Sequence, residues 1–239
     1  MISIERGVSQ QYKYEFHKIF GDDYDFIDTV TDISNEIFKI FDKNIFCGGL
    51  CVFDVNLKAN SGIKKGAYIY GAFICEEFRK RGFFKILCDH VCDFYKNKSY
   101  DFIFTIPANE NLFSLYEKLG FTNLLNGTIS LTNKKTDVFI PKNSTFKAFD
   151  NNFENLYFIH TQNDILIKSF EFFKESIADF DIKYIFNNSK SGYALYKSND
   201  IIYASGDFIT HSTQKKGLLK KFSNFIVPQN LLCDVLLEI

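Results

Sequence analysis

The segment EEFRKRGFFKIL, residues 76–87, separates two sequence patterns of different period. Before it, AYIYGAFIC at 67–75 is typical of a buried strand. After Gly82 the apolar residues recur at helical spacing, at positions 83, 86, 87, 91 and 94, with His90 on the same face. The sequence therefore predicts a strand, then a basic turn at 79–81, then an amphipathic helix.

The predicted turn has the features of a phosphate-binding site. The first N–H groups of a helix have no partner within it, and the helix macrodipole adds about half a positive charge there. A glycine at position 82 lets an anion approach the main chain closely, and Lys85 adds a cation to the three that precede Gly82. The alternative interpretation is a solvated basic loop without a ligand.

The composition argues against two classes of protein. The chain has 239 residues with 28 Lys and Arg against 29 Asp and Glu, whereas a nucleic-acid-binding protein needs a broad basic surface. No apolar run reaches the ~20 residues of a membrane span, and MISIERGVSQ lacks the apolar core of a signal peptide. We therefore expect a cytoplasmic protein that binds neither nucleic acid nor membranes.

The six cysteines are predicted to be reduced and mostly buried. None forms a C-x-x-C pair, and cytoplasmic proteins keep their thiols reduced, so this interpretation is favoured over metal ligation. We accordingly expect no metal site. The cysteines are Cys47, Cys51, Cys75, Cys88, Cys92 and Cys233.

Helical and extended patterns alternate up to about residue 140, where Pro141 and a polar stretch mark a boundary. The last two strands of this part are predicted to pair with each other and close it. The predicted elements are helices at 10–20, 30–42 and from Asn109 or Asn111 to Gly120, and strands at 46–57, 101–106, 127–131 and 137–140.

Residues 145–239 are predicted to repeat part of this pattern. FITHSTQKKGLLK at 208–220 aligns without a gap on FICEEFRKRGFFK at 73–85. We interpret the tail as a truncated duplication, and an accidental match between periodic cores is the alternative. Its predicted elements are helices at about 151–160, 163–178 and 214–226, and strands at DIKYIF, GYALY, IIYASGDFI and CDVLLEI.

Two motifs in this order resemble the GNAT N-acetyltransferase superfamily. The acyl-CoA loop of the family, Q/R-x-x-G-x-G/A, is similar to residues 79–84, with Phe84 in place of the last small residue. The family segment N-x-x-A-x-x-x-Y-x-K-x-G-F resembles residues 109–121, with Leu112 in place of alanine. The motifs cover residues 66–122, and weaker strand patterns extend the resemblance to about 1–140.

The resemblance implies that the chain binds acetyl-CoA at the matched positions. Main-chain groups of Phe73, Ile74 and Cys75 would pair with the pantetheine arm, as an added strand pairs with a sheet edge. Amides from Lys80 to Lys85 would hold the diphosphate, and Asn109 would contact the pantetheine. The expected cofactor-binding residues are Phe73, Ile74, Cys75, Arg79, Lys80, Arg81, Gly82, Phe83, Phe84, Lys85 and Asn109.

The resemblance also places Tyr116 at the sulfur of acetyl-CoA, as the catalytic acid. A tyrosine hydroxyl can protonate a leaving thiolate whose conjugate acid has a pKa of about 8.5, and an N–H near Ile74 would stabilise the oxyanion. The alternative for Tyr116 is an ordinary core aromatic, because it lies beside Leu112 and Leu119 on the helix. No general base is assigned, and His90 is expected to be buried.

We therefore predict an α/β protein with a mixed sheet, made of a GNAT domain at 1–142 and a smaller, truncated GNAT-like domain at 143–239. The expected activity is acetyl-CoA-dependent acyl transfer to a primary amine of a small molecule or peptide. The alternative is a non-catalytic acyl-CoA-binding module. The acceptor, a second CoA site in the tail, and the choice between monomer and homodimer stay open. Candidates for attracting the amine, with a solvated loop as the alternative, are Asp22, Asp23, Asp25 and Asp28.

Overall fold

In a computed structural model, the chain divides into two compact units. The first unit contains Met1–Val55, Lys64–Leu124 and Leu218–Phe225, and the second contains Asn56–Ile63, Leu125–Gly217 and Ile226–Ile239. The predicted boundary after residue 142 lies inside the second unit. The structure describes the main chain of residues 1–130, 138–163, 166–178, 180–197, 199–206, 210–211, 215–227 and 230–235.

The described part of the chain contains both helices and strands, and its last six elements are all strands. The elements up to residue 118 are β1 Ile2–Arg6, α1 Gln10–Phe20, α2 Tyr24–Ile33, β2 Glu36–Asp42, β3 Ile45–Ala59, β4 Gly62–Ile74, a 3-10 turn at Glu76–Phe78, α3 Phe83–Asn97, β5 Phe102–Thr105 and α4 Glu110–Lys118. The later elements are β6 Asn123–Ser130, β7 Val138–Phe139, β8 Thr145–Ala148, α5 Phe153–Asn163, β9 Leu166–Lys168, α6 Phe170–Ile177, β10 Asp181–Asn187, β11 Lys190–Lys197, β12 Asp200–Ser205, β13 Thr210–His211, β14 Lys215–Lys221 and β15 Asn230–Val235.

The sheet of the first unit is mixed, as predicted. Strands β1, β2 and β3 are antiparallel neighbours, and β4 follows β3 in the order of the sheet. Strand β4 then pairs with β5 in parallel, which requires the crossover that α3 provides. The part of β14 from Leu218 to Lys221 runs antiparallel along the other side of β5.

Both faces of this sheet are covered by helices. Helices α3 and α4 bury Leu87, Val91 and Tyr116 in one cluster with Ile69 and Ile103 of the sheet. On the other face α1 buries Tyr12 and Phe16. Burial of each such side chain stabilises the fold by roughly 1.5–3 kcal/mol.

Local signals begin and end these helices where the sequence predicts. Ser9 accepts a hydrogen bond from the Tyr12 amide at the start of α1, and Gly21 ends that helix in the left-handed conformation. Asn109 accepts a hydrogen bond from the Leu112 amide, 3.3 Å away, at the start of α4. The predicted helices at 10–20, after Gly82 and after Asn109 are confirmed.

The predicted helix at 30–42 is wrong. Helix α2 ends at Ile33, and residues 36–42 form β2 between β1 and β3. This strand is buried on both faces, so its apolar residues do not alternate with polar ones as in a half-exposed strand. The spacing of the apolar residues in IFKIF therefore fits a helix as well as a buried strand.

The predicted helix at 214–226 is also wrong, because residues 215–221 form β14. Gly217 therefore lies inside a strand, whereas Gly82 begins a helix, so the described residues 215–220 differ in structure from residues 80–85 with which they align. Nor do the two strands near residue 140 close on each other. Strand β7 pairs with β13, and β6 pairs in parallel with β15.

The second unit contains a four-stranded antiparallel sheet in the order β12, β11, β10 and β8. The predicted strands DIKYIF, GYALY and the start of IIYASGDFI are confirmed as β10, β11 and β12. The predicted first helix of the tail is confirmed as α5, whereas the segment predicted as a second helix holds β9 before α6. Among the described residues, no helix is long and apolar enough to cross a membrane.

Five cysteines are free and buried, which confirms the prediction for these side chains. Burial raises the pKa of the Cys51 thiol and of the Cys75 thiol to about 12. Since the thiolate is the reactive form, both thiols are poor nucleophiles at neutral pH. The five are Cys47, Cys51, Cys75, Cys88 and Cys92.

We expect Gly71→Ala to destabilise the protein by about 3 kcal/mol. Gly71 has φ of +55° inside β4, and a Cβ there would overlap the ring of Phe16. The matched control is Gly7→Ala, where φ is +98° and nothing lies within 4 Å of the added Cβ, so only the backbone strain of about 1 kcal/mol remains. Urea unfolding of both variants measures the difference, and equal losses would contradict tight packing of Phe16 on the strand.

Candidate functional site

Strands β4 and β5 separate at the end of β5. Their parallel register runs from the pair Gly66–Phe102 to the pair Ile69–Thr105, where β5 ends. Strand β4 continues to Ile74. Residues 70–74 of β4 therefore extend beyond the last pair, and no strand among the described residues continues the pairing along the edge of β4 that faced β5.

The main chain of β4 breaks its regular pleat within this stretch. Gly71 is in the left-handed region, as in a β-bulge that contains glycine. A bulge bends a strand and redirects the groups that follow it. The residues after Gly71 are the ones that were predicted to contact pantetheine.

Of those three residues, only Ile74 fits the predicted pairing. The N–H of Cys75 donates to the Cys47 carbonyl on β3, 2.8 Å away, and the Cys75 carbonyl accepts from the Phe78 amide. The carbonyl of Phe73 also faces β3, next to Gly48. Since successive residues of a strand direct their main-chain groups to opposite edges, the N–H of Ile74 points away from β3, toward the split.

The turn after β4 leads directly into the N-terminus of α3. Gly82 is the N-cap with φ of +84°, and no side chain caps the helix. The first hydrogen bond of the helix joins the Ile86 amide to the Gly82 carbonyl, at 3.2 Å. The amides of Phe83, Phe84 and Lys85 therefore have no acceptor within the helix, as an anion site requires.

The predicted cations differ in their surroundings. The Nε of Arg79 donates to the Ile74 carbonyl at 3.0 Å, so this side chain fixes the turn to the end of β4. The guanidinium of Arg81 lies 5.4 Å from the centre of the Phe78 ring. Lys85 forms an ion pair with Asp89 one helical turn later. Arg79, Lys80, Arg81 and Lys85 are all exposed.

Tyr116 lies in the core below this turn. Its side chain is 4% exposed, its ring packs edge-on against Phe84 at 5.5 Å, and its hydroxyl is hydrogen-bonded to Thr105. Burial is the main cause that raises the pKa of this phenol, so the hydroxyl stays protonated at neutral pH. Phe84 turns its ring toward Tyr116 and is partly buried in the same cluster.

Sequence reasoning missed Thr105 and misjudged His90. Thr105 is the last residue of β5, its hydroxyl donates to the Ile69 carbonyl at 3.3 Å, and it is also bonded to Tyr116. No local motif marks it, because its partners are 36 and 11 residues away in the chain. His90 is exposed rather than buried, with its ring 6.0 Å from the Phe38 ring.

Residues 8–121 match the Acetyltransferase (GNAT) family, and this part of the chain is a GNAT acetyltransferase domain. The match includes the split strand, the turn at 75–82 and Tyr116. No curated protein gives a significant match to the chain.

Solved structures share the fold at low sequence identity. A GCN5-related N-acetyltransferase from Anabaena variabilis has a TM-score of 0.66 at 12% identity, over 92% of this chain and 73% of its own. One from Kribbella flavida has a TM-score of 0.66 at 10% identity, over 93% and 72%. Eis1 from Mycobacterium abscessus has a TM-score of 0.61 at 7% identity, over 93% and 74%.

We expect Arg81→Glu to weaken acetyl-CoA binding about tenfold, or about 1.4 kcal/mol, because it places a carboxylate beside the amides at the start of α3. The matched control is Lys96→Glu, an equal charge reversal in the last turn of the same helix, for which the affinity should stay unchanged. Isothermal titration measures both affinities and should give one equivalent per chain, because Gly217 lies in a strand. If the two variants bound acetyl-CoA with equal affinity, the diphosphate would have to bind away from the start of α3.

Proposed function

We propose that the protein transfers an acetyl group from acetyl-CoA to a primary amine of a small molecule or peptide. The observation that carries this proposal is the split between β4 and β5, which leads to the uncapped N-terminus of α3. An extended pantetheine arm fits the open edge of a strand, and a diphosphate fits the end of a helix. The two features lie in one continuous segment, 70–85.

Groups of this chain then bind the diphosphate, stabilise the oxyanion and protonate the leaving sulfur, whereas the proton of the amine leaves through solvent. The amides of Phe83, Phe84 and Lys85 hold the diphosphate, and the Ile74 N–H donates to the thioester oxygen as negative charge develops there. The amine nitrogen forms a bond to the carbonyl carbon, the C–S bond breaks, and the Tyr116 hydroxyl gives its proton to the sulfur. The proton lost by the amine returns the phenolate to its neutral form through solvent.

A non-catalytic acyl-CoA-binding module is the second candidate function. The burial of Tyr116 favours it, because the phenol must meet the sulfur to act as an acid and the ring of Phe84 covers it on one side. Such a module would use the same turn and the same amides. The two functions differ only in whether the acetyl group is transferred to an amine.

We expect Tyr116→Phe to lower kcat about a hundredfold and to leave the affinity for acetyl-CoA unchanged. The ring is kept, so the packing against Phe84 and Phe121 stays. The matched control is Tyr95→Phe in the same hydrophobic cluster. The Tyr95 hydroxyl is buried without a hydrogen-bond partner in the described structure. Loss of this hydroxyl should therefore leave kcat and the affinity for acetyl-CoA unchanged.

Thiol release from acetyl-CoA in the presence of pooled primary amines measures the rate of both variants. A Tyr116→Phe variant as fast as the wild type would remove this residue from the mechanism. Tight binding of acetyl-CoA by the wild type without transfer to any amine of the pool would establish the binding module instead.

A further inference from the structure

We propose that the second unit binds a free aromatic amino acid, in a groove between α5 and the sheet that contains β8, β10 and β11. Lys147 binds the carboxylate of this ligand, Asp150 binds its ammonium group, and Phe158 packs on its ring. The groove shares no residue with segment 70–85. Binding there is therefore a further function, and its test does not depend on acetyl transfer.

The groove is large enough for a ligand of this size. It is a cavity of about 410 Å³, within the range of about 300–1,000 Å³ that is usual for small-molecule sites. Its lining includes two buried side chains, Tyr184 of β10 and Ile159 of α5. Asn155 and Phe158, from the same helix, line it as well, and Ser191 of β11 lies on the side of the sheet.

The register of the sheet brings two aromatic rings together along this groove. Tyr184 lies opposite Lys147 of β8, and Phe186 is two residues further along β10, so all three side chains project from one face. The centres of the Tyr184 and Phe186 rings are 6.3 Å apart. The two rings therefore form a continuous aromatic surface on which a planar group can lie.

A cation without an anionic partner lies over one of these rings. The Nζ of Lys147 is 5.1 Å from the centre of the Phe186 ring, and the lysine side chain is exposed. Among the residues that the structure describes, Lys147 forms no hydrogen bond or ion pair. Its three N–H donors are therefore available to the carboxylate of a ligand that lies against the ring.

The carboxylate of Asp150 lies at the hydroxyl of the other ring. Its Oδ1 accepts from the Tyr184 hydroxyl at 3.0 Å and from the Asn152 amide at 3.1 Å, and Asn155 Nδ2 donates to the same hydroxyl at 3.3 Å. Burial is the main cause that raises the pKa of Tyr184, so the hydroxyl keeps the proton that it donates. These bonds hold Asp150 in place, while its Oδ2 has no partner within the described ranges.

Two opposite charges in one small cavity match a ligand that carries both. Lys147 and Asp150 line the same groove, yet they do not form an ion pair with each other. A zwitterion would pair each of them, whereas a ligand with a single charge would leave one unpaired.

The exposed aromatic side chain on the helix specifies the rest of the ligand. Phe158 is 61% exposed although it lines the groove. A ring that packs between Phe158 and Phe186 would remove apolar area of all three rings from water. A free aromatic amino acid supplies this ring together with the two charges.

Isothermal titration of the full chain with four ligands tests the proposal. The reference is L-phenylalanine, and the other three each lack one of its groups: phenethylamine the carboxylate, 3-phenylpropionate the ammonium group, and L-alanine the ring. Each of these three should bind about tenfold more weakly than L-phenylalanine, or worse. No detectable binding of L-phenylalanine would overturn the proposal, and so would equal affinities for the four ligands.

Lys147→Met should weaken the binding of L-phenylalanine about tenfold without weakening that of phenethylamine, because the lost contact is to the carboxylate. The matched control is Lys183→Met. This lysine also lies over a ring, 4.5 Å from the centre of Tyr196, but it projects from the opposite face of β10. Equal losses for the two variants would contradict the assignment of Lys147.

Asp150→Asn should weaken the binding of L-phenylalanine by a similar factor without weakening that of 3-phenylpropionate. The asparagine keeps the oxygen that accepts from Tyr184 and Asn152, so the turn before α5 stays in place. An affinity for L-phenylalanine equal to that of the wild type would remove Asp150 from the site.

Phe158→Ala should weaken the binding of L-phenylalanine about tenfold and leave the affinity for L-alanine unchanged. The matched control is Phe146→Ala. Phe146 is also an exposed phenylalanine, but it precedes Lys147 on β8 and so projects from the other face of the sheet. Equal affinities of the two variants for L-phenylalanine would show that the ligand does not pack on Phe158. Thermal unfolding of each variant checks that the fold is kept.

Discussion

The site depends on one constraint in the sheet, which is that β4 continues to Ile74 although its pairing with β5 ends at Ile69. Main-chain groups of a strand need hydrogen-bond partners, and on one edge β3 supplies them, as the bond from Cys75 to Cys47 shows. On the other edge no strand among the described residues pairs with residues 70–74, although the Ile74 carbonyl accepts from Arg79 Nε. A pantetheine arm carries amide groups along an extended chain, so it can complete the sheet where β5 does not reach.

The same stretch of β4 contributes both to the stability of the fold and to the candidate site. Because Gly71 has no side chain, Phe16 packs directly on the strand, and this contact holds the end of α1 over the open edge. Helix α1 therefore buries one face of the sheet through Tyr12 and Phe16.

Sequence reasoning succeeded where the signal is local and failed where the partner is distant. Ser9, Gly21, Gly82 and Asn109 mark helix ends by their own chemistry, so α1, α3 and α4 were predictable. Strands β2 and β14 were missed, because short apolar runs fit either period and the pairing that decides between them is non-local: Leu218 pairs with Thr105, far away in the chain. Likewise, the motif located residues 73–75, but the register with β3 decides which of them faces the split.

The side chain of Phe84 lies between the two parts of the candidate site, which are the amides at the start of α3 and the hydroxyl of Tyr116. The resembling family has a small residue at this position, which keeps the approach to the helix N-terminus clear. Here the ring packs against Tyr116, so the amides of Phe83 to Lys85 stay open to an anion while the phenol lies behind an aromatic side chain. The amides proposed to hold the diphosphate thus have no acceptor within the helix. Burial raises the pKa of that phenol, so the hydroxyl keeps its proton at neutral pH, and under the proposed function binding energy gained at the turn would have to bring the thioester to it.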